Sequence, residues 1–105
     1  MKTILKASLS VLALALVFST YTFADGAADY KAKCSACHGA TGAGDTTMGK
    51  NLKLRDLGSA DVQKQSDDEL TTIVTKGKAK MPAYDGKLTK EQIADLVKFI
   101  RTLKK

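Results

Sequence analysis

An all-α domain, built from three to five short helices joined by long loops, is the fold class that this 105-residue sequence predicts. Ser66-Asp67-Asp68-Glu69 and Thr89-Lys90-Glu91-Gln92 each set a capping-box pair ahead of an apolar stripe at helical spacing. No run of β-branched residues reads as a competing strand, and no repeat or low-complexity tract divides the chain.

In chain order, residues 1–24 read as a cleaved export signal rather than as part of the fold. Lys2 and Lys6 form a positive start, Ala7 to Phe18 is mostly apolar, and Thr22-Phe23-Ala24 places small residues where a signal peptidase cuts. That apolar run is shorter than the roughly 20 residues needed to span a bilayer. A bacterial periplasm is the simplest destination, with no stable membrane insertion after cleavage. The remaining 81 residues, Asp25 to Lys105, form a single domain with 15 basic and 11 acidic side chains, a formal +4. So short a chain has a thin core and needs a staple.

Asp25 is the expected N-cap of a first helix running from about Gly26 into Cys34, with Ala27, Tyr30 and Cys34 on one face. Gly39, Gly42 and Gly44, with Thr41 and Asp45, read as a loop without phosphate-binding spacing. Lys50 to Leu57 has no clear period, and Ser59 caps a single turn through Lys64. Ser66 and Glu69 then open a helix carrying Leu70, Ile73 and Val74 on its apolar face, which Gly77 ends. Its three first-turn acids need no catalytic explanation, because the helix dipole favours them there. Lys76 to Tyr84 is a basic loop holding Met81 and the chain's one proline, Pro82. Thr89 opens the last helix, whose buried face is Ile93, Leu96, Val97, Ile100 and Leu103, and Lys104 and Lys105 suit its C-terminal end.

Cys34-Ser35-Ala36-Cys37-His38 is the one segment with clear chemistry. C-x-x-C-H is the pattern of c-type haem attachment: two thiols form thioethers to one porphyrin, and the histidine binds its iron from below. Competing readings are poorer. A thioredoxin-like site needs a βαβ context. A structural zinc site needs four ligands, and Cys34, Cys37 and His38 are the entire Cys/His inventory. A plain disulfide leaves His38 unexplained. A covalently held haem would also supply the missing staple.

With these parts in place, the chain resembles the small class I (monohaem) cytochromes c of bacteria over essentially all of residues 25–105. The order of parts matches: C-x-x-C-H near the mature start, a later Met81-Pro82 and a closing helix. Gly26-x-x-x-Tyr30 and Leu96-x-x-Phe99 match the family's crossed terminal helices. The resemblance implies one covalently attached haem c wrapped by the fold, with thioethers from Cys34 and Cys37, His38 as proximal iron ligand and Met81 as distal ligand. Met48 is the rival methionine, ten residues past His38. The chain departs from the family where many members carry a proline whose carbonyl accepts the histidine's other N–H. Lys50 stands there, so another carbonyl must take that hydrogen bond. Arg55 is a candidate for a propionate contact.

The function expected from these readings is periplasmic electron transfer without enzyme activity, by a monomer that docks redox partner proteins and no nucleic acid. Lys76, Lys78 and Lys80 are expected to rim the haem edge and meet an acidic patch on the partner. Two alternatives remain: a haem-based ligand sensor or weak peroxidase in which Met81 is labile, and a thiol–disulfide oxidoreductase using Cys34 and Cys37.

Overall fold

The computed structural model describes residues 23–105, so the signal expected over residues 1–24 lies, but for its last two positions, outside the described residues. Six helical segments follow one another: α1 Phe23–Lys33, α2 Ser35–His38, α3 Thr47–Leu52, α4 Ala60–Gln63, α5 Asp67–Lys76 and α6 Lys90–Thr102. Two of them, α2 and α4, are single four-residue turns. No strand occurs among the described residues; the only β pairings are the isolated bridges Lys78–Met81 and Asp85–Leu88. The all-α expectation is met, with six helical segments among the described residues where three to five were expected, two of them the single turns α2 and α4.

Local chemistry places most helix starts where the capping residues predict. Thr46, Ser59, Ser66 and Thr89 sit in extended conformation and accept a hydrogen bond from the third backbone N–H of α3, α4, α5 and α6. The two capping boxes are complete, because Glu69 and Gln92 reach back to the N-cap amides of Ser66 and Thr89. Gly77 ends α5 at φ 76°.

Two elements differ from expectation. The first helix starts at Phe23, so Asp25 lies in its first turn rather than capping it. The carboxylate still suits the positive end of the helix dipole there. A helix not expected from the sequence, α3, runs into the stretch read as aperiodic from Lys50; Thr46 caps it and Lys53 closes it in the left-handed conformation at φ 55°. Only Gly49 of this six-residue helix is buried, so it offered no apolar period to detect.

Packing centres on the crossing of α1 and α6. Gly26 lies against the Asp95 backbone, and the Tyr30 and Phe99 rings meet at 4.8 Å between centroids, tilted by 41°. Leu96 between them is 1% exposed, a burial that contributes roughly 1.5–3 kcal/mol. Tyr30, Val74, Leu88, Ile93 and Leu96 form one core cluster; Val62, Leu70, Val97 and Ile100 form a second, and Leu57 packs against both. Arg101 ties α6 to the α4–α5 junction by donating to the Gln63 and Gln65 carbonyls at 2.9 and 2.6 Å and to Asp67 Oδ1 at 2.8 Å.

The crossing is sensitive to a single methyl group. A Cβ on Gly26 would lie 2.5 Å from the Asp95 carbonyl oxygen, so the two backbones must separate to admit it. Gly26→Ala should therefore cost about 1–3 kcal/mol. At roughly 4–8 °C per kcal/mol for a domain this size, thermal unfolding should show a drop of ~10 °C. A melting temperature equal to that of the parent would mean that this approach does not limit stability.

Candidate functional site

The attachment segment continues α1 with little interruption. The Cys34 amide donates to the Tyr30 carbonyl at 2.8 Å, and the His38 amide donates to the Cys34 carbonyl at 2.9 Å. Gly39, at φ 86°, then turns the chain away. Side chains from three other places hold the segment by its backbone. The Tyr30 hydroxyl donates to the Gly39 carbonyl at 2.6 Å, Thr46 Oγ1 to the Cys37 carbonyl at 2.7 Å, and the Tyr84 hydroxyl to the Lys33 carbonyl at 3.0 Å. Thr46 also caps α3, which brings Gly49 so near that a Cβ there would lie 2.6 Å from the Cys37 carbonyl oxygen.

These anchors leave the Cys34, Cys37 and His38 side chains facing an open cleft. A cavity of about 440 Å³ is lined by all three, together with Lys33, Leu54, Lys78, Lys80, Met81 and Tyr84. A second, of about 300 Å³, shares Cys34, His38, Leu54 and Met81 and reaches inward to Val62, Leu70, Val74, Leu96 and Ile100. Both volumes fall in the range of small-molecule and cofactor sites, about 300–1,000 Å³. Those inner lining residues belong to both core clusters, so the two halves of the core face each other across the cleft.

Met81 comes from a tight turn in which Lys78 and Met81 exchange backbone hydrogen bonds at 2.9 and 3.2 Å. Ala79 inside that turn adopts the left-handed conformation at φ 55°. The fold thus brings Met81 to the same cleft as Cys34, Cys37 and His38. Met48 is 51% exposed and lines neither cavity. Lys78 and Lys80 line the larger cavity, whereas Lys76 is exposed and lines neither. Arg55 lines the smaller one.

Burial sets the protonation states in the cleft. It lowers the His38 pKa below its ordinary value, keeping the imidazole neutral at pH 7, the form in which it is a ligand. It pushes the Cys34 thiol up to about 11, with Asp29 and Cys37 adding to the rise. A thiol–disulfide nucleophile needs the opposite shift. His38 Nδ1 is buried and has no hydrogen-bond partner, so the carbonyl acceptor expected in place of the missing proline is not engaged.

Comparison with known proteins gives this geometry a family. The family model described as "Cytochrome C oxidase, cbb3-type, subunit III" matches residues 22–100. The chain belongs to the cytochrome c family. Cytochrome c6 of Picosynechococcus sp. is 35% identical over 109 residues, covering 95% of this chain and 92% of the relative. Cytochrome c6 of Synechococcus sp. is 36% identical over 106 residues, covering 91% of each. Among solved structures, the KustC0563 c-type cytochrome superposes with a TM-score of 0.72 at 34% identity, covering 77% of this chain and 99% of that one. The protein is a small monohaem class I cytochrome c, a haem-based electron carrier with one covalently bound haem c.

The residues present fit that group. A neutral imidazole and two thiols border a cleft whose inner wall is aliphatic and drawn from the core itself. Sequence reasoning missed the polar anchors. Tyr30 was expected only to pack across the helix crossing, and Thr46 and Tyr84 carried no expectation, because an isolated hydroxyl gives no periodic signal.

Tyr30→Phe separates the hydroxyl from the ring. It should keep the contact with Phe99 but leave the Gly39 carbonyl without its donor, costing about 1 kcal/mol at neutral pH. Burial raises the Tyr30 pKa to about 12, so the unfolded chain, at about 10, gives up its proton first. The tyrosine's contribution is therefore constant below pH 10 and is lost as pH rises from about 10 to 12. Chemical unfolding across that window should show the parent losing stability faster than Tyr30→Phe. Parallel curves would rule out a buried, hydrogen-bonded hydroxyl.

Proposed function

We propose that this cytochrome is an exported, periplasmic electron carrier whose haem is attached through Cys34 and Cys37 and ligated by His38 and Met81. The observation that carries the reading is that these four side chains line one cleft while Met48 stands outside it. The haem, when bound, supplies an iron that alternates between ferrous and ferric states. The chain's own residues would hold it: Cys34 and Cys37 through thioethers, and the neutral His38 imidazole and the Met81 thioether, presented by the Lys78–Met81 turn, as iron ligands. With His38 and Met81 both bound to the iron, no position would be left for a substrate, which fits an electron carrier rather than an enzyme. Core side chains give the cleft an aliphatic inner wall. Residues 1–24 would direct export and be removed after Ala24; no helix among the described residues is long and apolar enough to cross a membrane.

Met81 decides between a carrier and a ligand-binding sensor or peroxidase. A thioether favours ferrous iron, so Met81→Ala should lower the reduction potential. Haem ligands and surroundings span about 0.8 V, and a shift of only ~100 mV is about 2.3 kcal/mol per electron. The reduced Met81→Ala protein should also bind carbon monoxide readily, and Met48→Ala should do neither. The deciding measurement is the near-infrared absorption that reports methionine–iron bonding in the oxidised protein. Its survival in Met81→Ala and loss in Met48→Ala would reverse the ligand choice. A parent protein that lacks it and binds carbon monoxide freely would favour the sensor. The intact mass of exported protein reads covalent attachment in the same samples, since a Cys34–Cys37 disulfide adds no haem mass.

Partner docking is proposed at the basic rim, where Lys33, Lys78 and Lys80 line the larger cavity and Lys76 lies nearby on the chain. An acidic partner patch would be drawn to it. Because exposed charges are screened over about 8 Å at physiological ionic strength, electron transfer should slow steeply as salt is added. Stopped-flow rates that stay flat with salt, or that survive changing Lys76, Lys78 and Lys80 all to Glu, would place docking on another face.

A further inference from the structure

Met81 is carried by a loop that leaves the end of α5 and returns to it. The Gly77 amide donates to the Ile73 carbonyl at 2.8 Å and closes the helix. Beyond Ala83 the chain is back, where the Tyr84 and Asp85 amides donate to the Val74 and Thr75 carbonyls, both at 3.0 Å. Between these two fastenings, Lys78, Ala79, Lys80, Met81 and Pro82 line the larger cavity. Residues 77–83 therefore form a closed loop whose neck is tied to the last turn of α5.

Gly77 occupies that neck. A Cβ built on it would lie 2.6 Å from the Met81 carbonyl oxygen, 3.0 Å from the Ala83 nitrogen and 3.0 Å from the Pro82 carbonyl carbon. All three are backbone atoms, so none can swing aside as the end of a side chain would. The two strands of the neck are too close to admit even a methyl group. Gly77 also sits at φ 76° and ψ 172°, a region that essentially only glycine adopts. Gly86 is the contrast: its φ is similar, 81°, but a Cβ there would meet nothing within 4 Å.

We propose that Gly77 is a positioning residue for Met81: its missing Cβ seats the Met81–Pro82 backbone against the end of α5, and that seat sets where the Met81 thioether stands in the cleft. The inference rests on the reading of Met81 as the distal iron ligand. Helix α5 is a fitting reference for such a seat, because Ile73 and Val74 line the inner cavity together with Met81. The turn beyond the neck is stiff, since Lys78 and Met81 bond to each other in both directions. Movement at the neck is therefore passed on to Met81 rather than absorbed before it. A ligating group needs its place held to within about 0.5 Å. Ordinary contact begins at 3.4 Å, so a methyl group at Gly77 widens the neck by more than that tolerance.

The test uses exported holoprotein of the parent, Gly77→Ala and Gly86→Ala. A parent without the near-infrared methionine–iron absorption removes the ligand reading and this inference together. With that absorption present in the parent, Gly77→Ala should weaken or lose it and should lower the reduction potential. The reduced variant should also take up carbon monoxide at least tenfold faster than the parent. Gly86→Ala adds a side chain at a similar φ without the contact, so it should keep the parent's absorption and carbon monoxide rate. A Gly77→Ala protein that loses thermal stability yet keeps both would make Gly77 merely structural, overturning the inference while Met81 ligation stands. Equal losses in Gly86→Ala would overturn it too. Should Gly77→Ala yield no holoprotein, the coupling is read in the opposite direction, since linkage is reciprocal. Met81→Ala should then speed hydrogen exchange at the Tyr84 and Asp85 amides at least tenfold, while the Ile93 amide, bonded to the Thr89 carbonyl in α6, keeps its rate. Unchanged exchange at the neck, or equal speeding at Ile93, would overturn the proposal.

Discussion

The close approach of α1 and α6 is the contact on which the functional architecture depends. Gly26 lets the two backbones meet, and Tyr30, Leu96 and Phe99 fill the space beyond it. Because the Cys34 amide still bonds to the Tyr30 carbonyl, the direction of α1 is passed straight into the attachment segment. The other partner, α6, contributes Leu96 and Ile100 to the inner wall of the cleft. One crossing therefore positions both the segment that carries the reactive side chains and the apolar surface opposite it.

A second layer of control is polar and acts only on the backbone. The Lys33, Cys37 and Gly39 carbonyls are each held by a hydroxyl, from Tyr84, Thr46 and Tyr30 respectively. Those hydrogen bonds satisfy carbonyls at the ends of short helices, where intrahelical partners run out, and leave the Cys34, Cys37 and His38 side chains uncommitted. Tyr84 does more, since it lies three residues past Met81 and its amide is bonded to the Val74 carbonyl at 3.0 Å. It links the Met81 turn, the end of α5 and the end of α1. The separation between His38 and Met81 is thus set by a continuous path of backbone and hydroxyl contacts.

What could be read from sequence was what leaves a periodic or local trace. Capping boxes depend on residues three apart, and both were legible with their helices. The apolar faces of α5 and α6 followed from 3.6-residue spacing, and C-x-x-C-H announced its own chemistry. Singling out Met81, which the fold brings to the cleft, needed the family resemblance, because a methionine is often core filler. The first helix starts at Phe23 rather than at about Gly26, since Asp25 suits a first turn as well as a cap. The anchors Thr46 and Tyr84 depend on tertiary contacts nine and 51 residues apart in the chain, which no local pattern encodes. Asp95 was hidden for a related reason: on the polar–apolar pattern of α6 it reads as surface, and only the proximity of Gly26 buries it.

The cleft also explains why so small a chain can hold this shape. Its inner wall is made of Val62, Leu70, Val74, Leu96 and Ile100, side chains that would meet one another in an ordinary core. Here they pack within their two clusters and also border a shared space, so whatever fills it would add further aliphatic contacts. A haem fixed at Cys34 and Cys37 would supply those contacts and would restrict the unfolded chain around its attachment points. The same side chains that line the haem's space would then hold the two core clusters together, so one group of residues would bear on both the haem environment and fold stability. A substitution at Leu96 or Val74 would disturb both, whereas one at exposed Met48 would leave both nearly intact.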